Sequence, residues 1–155
     1  MVTRLLQYKN YVTMINALPG SNLFRHLYMV DDNNGTGRES EFDATDDGDL
    51  SCAEVVSSVL RLFGWIDSPH ATVQSTLLAI KKCGWYETCE KNIEPGDIVV
   101  WPASETKNEH IGFYIGKGSV ISNISKARVP GKHALIMSDG RSPVSFWSRD
   151  FDDKI

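Results

Sequence analysis

Apolar positions in this chain follow a helical spacing in its first half and a strand-like alternation in its second. Val55, Val56, Val59, Leu60 and Phe63 recur at helical spacing from Cys52, and Gly64 supplies a stop, which predicts one amphipathic helix. Ser51 followed by Glu54 matches a capping box, so Ser51 is the expected N-cap and Cys52 falls in the first turn. A further helix is expected over residues 3–17, ended by Pro19-Gly20, and another over residues 71–82, ended by Gly84. Residues 23–30 form an apolar run of either type, and residues 31–50 read as a long polar loop.

From Asn92 the pattern turns to β. Glu94-Pro-Gly-Asp is a turn leading into Ile98-Val-Val-Trp101, and His110–Gly116 and Ser119–Ser125 form a hairpin around Lys117-Gly118. Short strands are expected near residues 133–137 and 144–147. Helices first and an antiparallel sheet second define an α+β fold, and 155 residues of 41% hydrophobic composition suit one domain spanning residues 1–155. Trp65, Trp85 and Trp101 are either cleft walls or edges of the core.

The net charge of −4, with no stripe of Lys or Arg, makes nucleic acid a poor partner. No stretch is long enough to span a membrane. The first twenty residues lack the basic-then-apolar order of a signal peptide, so the expectation is synthesis in the cytoplasm, with any delivery to a cell wall by another route. Cys52, Cys83 and Cys89 do not form an even disulfide framework, and free structural thiols are the simplest reading of Cys83 and Cys89.

A thiol in the first helical turn lies where free backbone N–H groups and the helix dipole favour an anion, which biases Cys52 towards the nucleophilic thiolate. The competing reading is a Cys that merely packs on an apolar helix face. Alternation places His110, Gly112, Tyr114 and Gly116 on one face of their strand, and the two glycines suggest a close approach that brings Cys52 to His110. With a two-residue turn at Lys117-Gly118, Gly112 lies opposite Asn123, and Asn123 shares the face of His110 and can orient its ring. A longer loop reverses this parity and promotes Ser122. His133 is an alternative base.

Asp49-Leu-Ser-Cys52, Glu94-Pro-Gly-Asp-Ile-Val-Val-Trp101 and His110-Ile-Gly-Phe-Tyr-Ile-Gly116, in that order, resemble the papain-like cell-wall hydrolases of bacteria and their phages, of the NlpC and CHAP type. The resemblance covers about residues 46–125. Members of the NlpC type usually carry Asp before the Cys and Ser-Gly after it, where this chain has Ser51 and Ala53, and a gapless alignment puts Ser122 at their third catalytic place. The resemblance implies a papain-like fold with N-terminal helices packed on a C-terminal antiparallel sheet. It implies a cysteine hydrolase of amide or peptide bonds, with Cys52 as nucleophile, His110 as base and Asn123 or Ser122 as orienting group. No metal or cofactor is called for, the substrate would be peptidoglycan or a muropeptide, and the chain would act as a monomer. A thiol acyltransferase, a non-wall amidase and a non-catalytic binding module are the rival readings.

Overall fold

The computed structural model describes residues 2–32 and 38–154. Three helices, α1 (Gln7–Asn16), α2 (Cys52–Leu62) and α3 (Val73–Lys82), accompany a small hairpin, β1 (Tyr28–Asp32) and β2 (Glu39–Asp43). The main sheet comprises β3 (Tyr86–Thr88), β4 (Ile98–Trp101), β5 (His110–Gly116), β6 (Ser119–Ile124), β7 (Val129–Ala134) and β8 (Ser145–Ser148). Its spatial order is β3-β8-β4-β5-β6-β7, with every neighbouring pair antiparallel. This is the α+β arrangement that the order of helical and alternating segments predicts.

Both faces of the sheet are covered. Along β4, Ile98 and Val100 join the core shared with the helices, while Val99 and Trp101 join a second cluster with Val120, Leu135 and Phe146. Helix α2 packs on β5 and β6, burying Ala53, Val55, Val56, Val59 and Leu60 against Ile111, Phe113 and Ile121. Each such buried Val or Leu contributes roughly 1.5–3 kcal/mol. Trp65, Trp85 and Trp101 are all buried, so they belong to the core.

Several local expectations are corrected. Ser51 does precede α2, but its side chain makes no capping bond; its hydroxyl is turned to the Arg25 carbonyl, and Glu54 accepts from Ser58 at 2.8 Å. Ser51 has φ −80° and ψ 4°, not the extended backbone from which an N-cap side chain reaches back to the first turn. The polar stretch after residue 30 is not all loop, because Tyr28–Asp32 and Glu39–Asp43 pair as strands; residues 33–37 lie outside the described residues. This hairpin packs neither face into the core, so burial left no alternation in its sequence. Helix α1 begins four residues later than the apolar spacing suggests, β3 is too short to carry a period, and the strand expected near residue 133 is centred earlier.

The largest register difference lies in the β5–β6 hairpin. Gly116 pairs with Ser119 as expected, but Tyr114 pairs with Val120, leaving Ile115 as an extra residue and setting Gly112 opposite Ser122. Gly116 has φ +94°, the left-handed conformation that lets a strand absorb a bulge. Ile115 thereby packs with Ile111 and Phe113 on the helix side.

Two buried carboxyls give the fold a pH signature. Burial pushes Glu54 up to about 7 and Asp97 up to about 6, with hydrogen bonds from Ser58 and Ser148 opposing. Among the described residues, Glu54 Oε2 has no hydrogen-bond partner. A carboxyl with a raised folded-state pKa stabilises the fold fully below its unfolded value and loses that contribution as pH rises through the folded value. The contribution of Glu54 should therefore fall between about pH 4.5 and pH 7, while that of His110, whose folded value is lowered to about 3, rises with pH up to 6.5 and opposes it. Relative to the wild type, Glu54→Gln should gain stability as pH rises through that window in melting curves, and an unchanged pH dependence would exclude a contribution from Glu54.

Candidate active site

Cys52 opens α2 and lines a cleft of about 930 Å³ together with His110 and Arg141. Met29 and Phe42 of the β1–β2 hairpin, Leu50, Val73 and the segment 106–109 are among the residues that form its walls. The loop before Cys52 is tightly held. Asp46, Asp47 and Gly48 are consecutive left-handed residues, with φ of 48°, 52° and 89°. Such a run persists only where surrounding contacts impose it. Those contacts are the Arg25–Asp47 ion pair at 2.7 Å, Arg128 on the Asp46 and Asp47 carbonyls, and Ser125 on the Asp49 carbonyl. Although burial opposes it, hydrogen bonds from Thr45, His26 and Leu27 hold the Asp43 carboxyl well below the usual range, so the last residue of β2, from which the loop departs, is an anchored anion.

His110 is buried at the start of β5, directly opposite Trp101 of β4. Its Nε2 lies 2.7 Å from Ser122 Oγ, and the same oxygen lies 2.6 Å from Nε2 of His133 on β7. The bulge at Ile115 explains why Ser122 holds this place. Asn123, expected beside His110, points to the other face and donates its amide to the Gly48 carbonyl at 2.8 Å. It tethers the loop before Cys52 and does not touch the imidazole's partner. The reason for Gly112 differs likewise. A Cβ there would meet Ser122 Cβ at 2.6 Å and the Ile121 carbonyl at 2.8 Å, so the glycine makes room for Ser122, not for the helix.

The electrostatics depart from the bias towards a thiolate. Burial pushes the Cys52 thiol up, outweighing the backbone N–H groups of Ile111, Ala53 and Cys52 and the charge of Arg141, all of which favour the thiolate. The influence of the Ile111 N–H places the sulfur against β5, one residue from His110. Burial likewise drives His110 down to about 3, with His133 and Arg141 adding to the effect and Asp139 opposing it. At rest the cleft holds a neutral thiol and a neutral imidazole. Desolvation outweighs the helix start because the sulfur packs against β5 at the floor of the cleft, although Cys52 as a whole is only part-buried.

Sequence reasoning missed Arg141. It sits between β7 and β8, with Nε on Asp139 at 2.9 Å and Nη1 on the Pro102 and Asn108 carbonyls, both at 2.9 Å. Nothing in its local pattern marks it, since tertiary folding alone brings it to the cleft. Cys83 and Cys89 are free and exposed, away from these residues.

The helices on an antiparallel sheet, with a Cys opening the central helix and a His on the adjoining strand, define a papain-like fold of the NlpC kind. A solved structure of NlpC2 from Trichomonas vaginalis superposes with a TM-score of 0.53 at 15% identity, covering 96% of this chain and 50% of that one. The chain thus spans about half the length of that protein, and at this identity the likeness is one of fold. No protein-family model and no curated protein sequence matches the chain.

Two outcomes follow from this geometry. Alkylation of Cys52 by iodoacetamide, followed by mass spectrometry of its peptide across pH, should plateau only above the ordinary thiol value of 9.0. A plateau below pH 7 would instead reveal a preformed thiolate–imidazolium pair. Gly112→Ala should destabilise the fold by about 1–3 kcal/mol in chemical denaturation, because backbone on β6 has to yield. No loss would mean that β6 tolerates the added methyl.

Proposed function

We propose that this chain is a cysteine hydrolase of amide or peptide bonds, with Cys52 as nucleophile, His110 as base and then acid, and Ser122 as the group that orients His110. The observation that carries the reading is the opening of Cys52 and His110 into one cleft, with His110 held through Nε2 by Ser122. Since Nε2 is engaged, Nδ1 is the nitrogen left to serve the thiol. His110 takes the Cys52 proton as sulfur attacks the carbonyl, the C–N bond breaks, and the proton passes to the leaving amine. Water then attacks the acyl-enzyme, with His110 again as base, which returns the carboxylic acid product and the thiol. Because both groups rest neutral, proton transfer accompanies attack. The N–H of Cys52 at the helix start is suited to the developing oxyanion, and the Arg141 charge favours the thiolate character that the reaction requires.

Peptidoglycan or a soluble muropeptide is the substrate class this reading favours, on the strength of the motif resemblance and the NlpC-like fold. Purified bacterial peptidoglycan should yield new fragments with the wild-type chain and none with Cys52→Ala, and mass spectrometry of those fragments names the bond. Absence of fragments from both would remove the cell wall as substrate. On a cleaved substrate, His110→Ala should lose about 10²–10⁴ in kcat. Ser122→Ala should lose more activity than Asn123→Ala, and the reverse order would restore Asn123 as the orienting group.

A further inference from the structure

We propose that His133 is a positioning residue for His110, acting through the Ser122 hydroxyl, so that three side chains form a one-way hydrogen-bond chain presenting Nδ1 of His110 to Cys52. The proposal rests on the reading of Cys52 and His110 as nucleophile and base. Its direction is set at the far end. Nδ1 of His133 lies 2.8 Å from the Ala134 carbonyl oxygen. A carbonyl only accepts, so this nitrogen carries a proton. Burial lowers the pKa of both imidazoles, so both rings are neutral near pH 7, and Nε2 of His133 is then an acceptor. Ser122 donates its single proton there across 2.6 Å. Its oxygen has only lone pairs left for Nε2 of His110 at 2.7 Å, so that nitrogen must donate. Nδ1 of His110 is left bare, which is the form a general base requires.

The sheet is built to hold this chain. Ser122 lies in register between Gly112 on β5 and Gly131 on β7, so no side chain crowds it from either neighbouring strand. Each histidine stands two residues from its strand's glycine on the same face, and both rings therefore reach Ser122 diagonally. The Trp101 ring lies beside both, 5.5 Å from His110 and 5.6 Å from His133, and its indole N–H is fixed on the Leu135 carbonyl at 2.8 Å. Without His133, the Ser122 proton loses its acceptor and can turn towards Nε2 of His110. The tautomer then inverts, an N–H faces the thiol, and the base is lost.

Long-range ¹H–¹⁵N spectra of histidine-labelled protein read the tautomers directly, without a substrate. The wild type should show Nε2–H for His110 and Nδ1–H for His133. In His133→Ala, His110 should shift towards Nδ1–H, and alkylation of Cys52 at pH 7 should slow by about a hundredfold. His133→Gln, whose amide oxygen replaces the Nε2 acceptor, should keep the wild-type tautomer and most of the rate. A purely structural role for His133 would leave the His110 tautomer unchanged in His133→Ala, and that result overturns the proposal, as would Nδ1–H on His110 in the wild type. If His133→Ala does not fold, His133→Phe, which keeps a ring beside Trp101 and offers no acceptor, gives the same test: the His110 tautomer should shift towards Nδ1–H, and an unchanged tautomer overturns the proposal. A tautomer that responds to His133 while Cys52 stays inert would support the hydrogen-bond chain and contradict the hydrolase reading.

Discussion

Where chemistry can occur in this protein depends on the seating of α2 against β5 and β6. Val55, Val56, Val59 and Leu60 lock the helix to Ile111, Phe113 and Ile121, and Cys52, as the first helical residue, takes its position from that packing. The preceding loop is fixed just as firmly by Arg25, Arg128, Asn123 and Ser125. Hydrophobic burial therefore sets the place of Cys52, while ion pairs and carbonyl contacts set the angle at which the chain enters the helix.

The same burial decides protonation. Taking a thiol and an imidazole out of water favours their neutral forms, and here that effect exceeds the pull of the helix start and of Arg141. For the proposed reaction, neutral groups make the tautomer of His110 decisive, because a base has to present a bare nitrogen. The side of the sheet away from α2 bears on this requirement, since Ser122 sits between two histidines in a row flanked by glycines. The two faces of one sheet thus divide the work, one placing sulfur and the other holding the imidazole.

Much of this architecture was legible where burial imposes a period. The central helix and the first hairpin strand carry clear apolar repeats, and their bounds follow from them. The β1–β2 hairpin, exposed along its length, left no such trace. The partner of His110 was misplaced by one residue because a bulge at Ile115 reverses parity, and only the conformation of Gly116 could have announced it. The capping box failed because Ser51 lacks the extended backbone of an N-cap and both side chains bond elsewhere, Ser51 to Arg25 and Glu54 to Ser58. Arg141 was invisible because it reaches the cleft from a loop between the last two strands.

The most direct measurement is intact-protein mass spectrometry of the wild-type chain acid-quenched during reaction with a muropeptide carrying the scissile bond. The account predicts a transient mass increase equal to the acyl portion, located on Cys52 by peptide mapping and enriched in a variant slowed in its water step. Turnover without any adduct on Cys52, or with an adduct on Cys83 or Cys89, would contradict it.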